Sequence, residues 1–136
     1  MKMNADSSPG FESYFGAALV ACGISWLWDY ISSLYFPGQT ALNFTILSAF
    51  VYMEAALLGA FGLTRRMPSK QIHVGLRAGL GAFLLNTVFR LIVFEFVEAL
   101  WGVIIYFVSF IAGGITGGFL AKTLHRSEIR KNEVSE

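Results

Sequence analysis

Four long apolar stretches and a one-sided distribution of basic residues predict an all-α membrane protein, a four-transmembrane-helix bundle with both termini cytoplasmic. The stretches lie at about 11–36, 40–63, 72–93 and 99–124. Each is close to the ~20 residues a helix needs to cross a hydrocarbon core. Hydrophobic residues make up 55% of the chain and charged residues 14%, against about 45–50% and ~25% in soluble domains. Mean hydropathy is +0.60. With nearly all of the 136 residues committed to spans and short links, the expectation is one integral membrane domain over 1–136, with a cytoplasmic tail at 125–136.

The first stretch is entered through a polar head containing Lys2 and Asp6 and carries Asp29 within it, which is unlike the short apolar core of a cleaved signal. Cys22, Ser25, Asp29 and Ser32 or Ser33 recur at the i, i+3, i+4 spacing of one helical face. Trp26, Trp28, Tyr30 and Tyr35 crowd its second half, where interfacial aromatic rings settle. Pro37-Gly38 marks the turn that follows, and Thr40 is the expected N-cap of the second helix.

On the second stretch Thr45, Ser48, Tyr52, Ala55 and Gly59 form a small and polar face suited to the bundle interior. At 100° per residue Glu54 points away from that face, among Leu47, Phe50, Val51, Leu58 and Phe61. A carboxylate near mid-membrane depth costs about 2.5–3.5 kcal/mol on insertion scales. It therefore needs a partner, a cover or a proton. Three readings stand at this point: a pair with Arg77, contact with a partner subunit, and proton carriage.

The link to the third stretch holds Arg65, Arg66 and Lys70 around Met67-Pro68-Ser69. The third stretch carries Gly75, Gly79, Ala82, Asn86 and Arg90 along one face. Counted from their helix ends at 1.5 Å per residue, Asp29 and Arg90 reach similar depths, about 5–11 Å from the outer boundary. An ion pair between them would be a lock between helices or the wall of a polar vestibule. Glu95 and Glu98 are competing partners for Arg90, and they also mark the only polar place where the chain can turn.

The fourth stretch begins near Trp101 and contains Gly113-Gly114-Ile115-Thr116-Gly117-Gly118, two overlapping GxxxG patterns. Glycines at that spacing let backbones approach closely, either between spans three and four or along a seam with a partner. Lys122, Arg126, Arg130 and Lys131 follow. Together with Arg65, Arg66 and Lys70 they place all span-flanking basic residues on one side, which by the positive-inside rule is the cytoplasm of a plasma or inner membrane.

Catalytic chemistry has no visible set of residues. Cys22 is the sole cysteine, His73 and His125 stand at helix edges, and no HExxH, CxxC, GxSxG or phosphate loop occurs. No cofactor is implied. A net charge of +1 gives no bulk attraction to nucleic acid. The expected partners are the lipid bilayer and either further copies of the chain or other membrane subunits. The expected function is a non-enzymatic accessory or assembly subunit; the alternative is an oligomeric transporter or channel for ions, protons or a small solute.

Overall fold

The computed structural model describes residues 9–38, 42–67, 69–93 and 100–134. They form four helices: α1 Phe11–Tyr35, α2 Leu42–Thr64, α3 Gln71–Val93 and α4 Leu100–Val134. All four are long and apolar enough to cross a membrane. The expected Thr40 cap, the Pro68 turn and the Glu95–Glu98 turn lie outside the described residues.

Side-chain partners give the run of the helices. Asp29 on α1 meets Tyr52 on α2, while Ala17 meets Gly59, so these two helices are antiparallel. Gly75 faces Gly114 and Gly118, and Gly79 faces Phe110, making α3 and α4 antiparallel too. Cys22 bonds Ala82 and Asp29 bonds Arg90, which makes α1 and α3 parallel. The bundle is up-down-up-down. Helices α2 and α3 pack on each other and each packs on both α1 and α4, whereas among the described residues no Cα atoms of α1 and α4 lie within 8 Å of each other.

The core explains how the helices come so close. One buried cluster is Ala18, Ala21, Tyr52, Ala56, Ala82 and Phe110; a second is Ala17, Ala60 and Ala78. Alanine at the contacts brings backbones together without side-chain entropy to lose. The bulky residues Leu27, Phe50, Leu58, Leu84, Val88 and Phe119 point outward instead.

Helix α4 carries this furthest. Its glycines at 113, 114, 117 and 118 are buried and divide into two ridges. A Cβ on Gly113 or Gly117 would strike the carbonyl of Met53 or Leu57 on α2. On Gly114 or Gly118 it would strike the carbonyl of Gly75 or Gln71 on α3. Each ridge seats a different helix, so none of the four is open to a second chain.

The helix ends are set locally. Phe36 closes α1 by donating its N–H to the Ser32 carbonyl at 2.9 Å, and Gly38 takes the left-handed φ of 78° that the turn requires. Before α3, Lys70 adopts φ 58°, and the Gln71 side-chain amide donates back to the Met67 carbonyl at 2.8 Å. The region expected as a tail from 125 onward is a continuation of α4 to Val134. The reason is composition: after Gly118 the chain has no Gly or Pro, and Leu, Ala, Lys, Arg and Glu are good helix formers.

Candidate functional site

At the end of the bundle where α1 finishes and α2 begins, all four helices contribute to one polar node. Asp29 comes from α1, Tyr52 from α2, Arg90 from α3 and Tyr106 from α4. The Arg90 guanidinium donates to Asp29 Oδ2 at 2.8 Å and to the Tyr52 hydroxyl oxygen at 2.5 Å. Tyr52 in turn donates its proton to Asp29 Oδ1. The loop of donors and acceptors is closed and its formal charge is zero.

The aromatic rings complete the surroundings of the cation. Arg90 Cζ lies 5.0 Å from the Tyr106 ring centroid and 5.5 Å from that of Tyr52. Both distances are within the ~6 Å over which a ring face attracts a cation. Tyr52 itself is fully buried, stacked on Phe110 and edge-on to Tyr106. The ions are not sealed: the Arg90 and Asp29 side chains retain 17% and 18% exposure.

Local sequence explains why these side chains converge. Asp29 continues the buried α1 face of Ala18, Ala21, Cys22 and Ser25, and Arg90 continues the α3 face of Gly75, Gly79, Ala82 and Asn86. Small residues below each ion draw the helices together, so the long Arg90 side chain reaches α1 without leaving the bundle. Ser32, not Ser33, extends the α1 stripe inward.

The neighbouring bonds are made by tryptophans. Trp26 Nε1 donates to Asn86 Oδ1 at 3.0 Å while its ring stacks on Phe89 at 3.8 Å. Trp28 Nε1 donates to Ser48 Oγ at 3.0 Å. These two indoles, expected as an interfacial belt, are part of the helix contacts. Trp101, Tyr30 and Tyr35 remain exposed.

Glu54 and Arg77 are both exposed, and among the described residues no ion pair joins them. The helical wheel gives the reason. Glu54 lies two residues from Tyr52 and Arg77 thirteen from Arg90, so each points about 140–160° away from the face by which α2 and α3 meet. Their far sides cannot reach each other within one chain.

Depth in the helices makes a pair between Asp29 and Arg90 possible from sequence, with Glu95 and Glu98 as competitors, and the structure forms the Asp29 pair; periodicity places Asn86 on the same face, but neither assigns Tyr52 or Tyr106 to the node. For Tyr52 a signal exists, as a tyrosine on the small polar face of α2. Tyr106 carries none, being one aromatic among many in an apolar span.

The arrangement can hold helices in register, and it can present a carboxylate and a guanidinium to a solute at its partly exposed edge. Cys22 is fully buried and donates to the Ala82 carbonyl at 3.3 Å. Among the described residues no group of three His, Cys, Asp or Glu side chains is placed to hold a metal ion. In comparisons with protein families, with curated proteins and with solved structures, nothing matches this chain.

Proposed function

We infer that the chain is a multi-pass protein of a plasma or inner membrane, with both termini cytoplasmic, acting as a non-enzymatic assembly subunit that docks through the outer face of α2. One observation carries this reading: Glu54 is exposed among Phe50 and Leu58, which are themselves 58% and 52% exposed. In lipid such a carboxylate is costly by about 2.5–3.5 kcal/mol on insertion scales. A neighbouring membrane helix that offers a cation or a hydrogen-bond donor removes that cost. In a homo-oligomer the cation at hand is Arg77, exposed on α3.

The broad apolar exterior supports the membrane placement, since soluble monomers seldom expose contiguous apolar patches beyond a few hundred Å². The basic links support the orientation. Co-purification under mild detergent tests the docking: the wild type is expected to elute with a partner or as an oligomer, and Glu54→Leu as a monomer. A wild-type chain that is monomeric and retains no partner refutes it. Orientation is tested separately in a Cys22→Ser background, where an impermeant thiol reagent should label Pro37→Cys in intact cells and Ser127→Cys only after lysis.

A second reading, transport of ions, protons or a small solute, is favoured by the charged node inside the bundle and its partly exposed edge. Four helices seldom enclose a pathway alone, so this reading also requires an oligomer. Flux into liposomes across a panel of cations and protons is its test, and absence of flux in folded protein ends it.

A further inference from the structure

At the opposite end of the bundle from the charged node, α1 and α2 leave a crease between them. They touch at Ala17 and Gly59, where a Cβ on Gly59 would stand 2.5 Å from the Ala17 carbonyl oxygen. On the open side of this contact lie Gly16 and Gly62, and a Cβ added at either would meet nothing within 4 Å. The resulting groove has a volume of about 840 Å³, within the range of about 300–1,000 Å³ typical of small-molecule sites.

The walls of the groove are apolar and its mouth is not. Val20 and Leu58 lie at one end of the lining, and Arg66 stands at the other. Arg66 is exposed, is the only charged residue among the described lining, and among the described residues makes no ion pair. Glu12, in the first turn of α1, is not part of the lining. From Gly10 to Val20 the groove follows about ten residues of α1, or ~15 Å at 1.5 Å per residue. That is the depth of one leaflet of a hydrocarbon core about 30 Å thick.

We propose that this crease is a binding site for one anionic glycerophospholipid of the cytoplasmic leaflet, one of its two acyl chains lying along Gly16 and Gly62 and its phosphate on Arg66. The proposal rests on the membrane placement and orientation inferred above, but not on the docking of a partner at Glu54. An acyl chain is the occupant that matches an apolar groove of one-leaflet depth. A cation at the headgroup level selects negative charge, and among the described lining residues no carboxylate competes for it.

The test uses the full chain reconstituted into vesicles of phosphatidylglycerol and phosphatidylcholine in equal parts, re-extracted into mild detergent and weighed intact by native mass spectrometry. The wild type should retain a single phospholipid, with phosphatidylglycerol favoured roughly fivefold, the preference that one interfacial cation supplies. Arg66→Gln should hold a lipid without that preference. Gly16→Leu combined with Gly62→Leu should hold none. Val20→Trp, which blocks the groove from its apolar wall, serves as a second filling variant should the glycine pair fail to fold.

Filled variants that keep the same bound lipid overturn the proposal, as does an unchanged preference in Arg66→Gln. A change of oligomeric state on filling, with lipid content unaltered, assigns the groove to a helix of a second copy and likewise overturns it. Resistance of each variant to alkaline extraction is read in parallel. A chain that is not integrated is thereby distinguished from one that is integrated but holds no lipid.

Discussion

The guanidinium of Arg90 and the carboxylate of Asp29 meet at 2.8 Å although 61 positions separate them in the chain. The Tyr52 hydroxyl bridges the two. A pair of this kind ties α1 to α3 at the end where neither is covalently linked to the other. Removing one charge leaves its partner in a medium that solvates it poorly, and the bridging hydroxyl cannot replace it. Arg90→Ala should therefore destabilise the bundle by about 3 kcal/mol. Tyr52→Phe, which leaves the ion pair in place, should cost about 1 kcal/mol. Unfolding titrations in mixed micelles measure both, and in the Asp29→Asn, Arg90→Gln cycle the double variant should lose less than the sum of the singles.

Glycines within the helices should respond to alanine in two opposite ways. At Gly75 and Gly114 an added methyl meets the backbone of the facing helix, and overpacking of this kind costs about 1–3 kcal/mol. At Gly81 and Gly23 the added methyl meets nothing within 4 Å. There Ala should be neutral, or stabilising by up to about 1 kcal/mol through helix propensity. Thermal unfolding in detergent separates the two classes, and equal effects at Gly75 and Gly81 would contradict the close approach of α3 and α4.

Tyr14 packs its ring on the cluster of Ala17, Ala60 and Ala78, but its buried hydroxyl has no hydrogen-bond partner among the described residues. A polar group left unsatisfied costs about 1–3 kcal/mol. Tyr14→Phe keeps the ring and removes the hydroxyl. It should leave stability unchanged or raise it, and a loss of stability in the same unfolding assay would mean that the hydroxyl has a partner.

At Glu54 the amide and the hydrocarbon should behave differently. Glu54→Gln keeps a hydrogen-bonding group and should retain part of any association, because interhelical amide bonds are worth about 0.6–2 kcal/mol in lipid. Glu54→Leu should abolish association and leave the fold intact, since the surrounding face is already apolar. Sedimentation in detergent reads the association, and far-ultraviolet circular dichroism reads the fold.

Periodicity and depth make much of this arrangement legible in the amino-acid sequence. The apolar lengths locate every helix to within a few residues of its observed ends up to residue 124. Small residues at Ser48, Ala55, Gly75 and Ala82 tell which sides turn inward, because in lipid only close backbone approach marks an interface. What cannot be read is lateral order. Nothing in a single helix says that Gly113 serves α2 while Gly114 serves α3, since that depends on which neighbours flank α4. Trp26 and Trp28 show the same limit: an indole near a helix end suits the membrane interface, and its bond to Asn86 or Ser48 across the contact cannot be read from one helix. The helical continuation past His125 is hidden by charge, which suggests solvent but does not stop a helix.

The two glycine ridges of α4 also bear on how the chain is made. Helices α1 to α3 leave the ribosome first, and until α4 arrives the backbone carbonyls of Met53, Leu57, Gly75 and Gln71 lack the surface that covers them. A three-helix intermediate thus carries an open seat on two of its members at once. Completion requires α4 to satisfy both ridges in the same rotation and height. A defect in either ridge would surface as a biogenesis failure: a chain synthesised in full, halted one helix short of closure and handed to quality control.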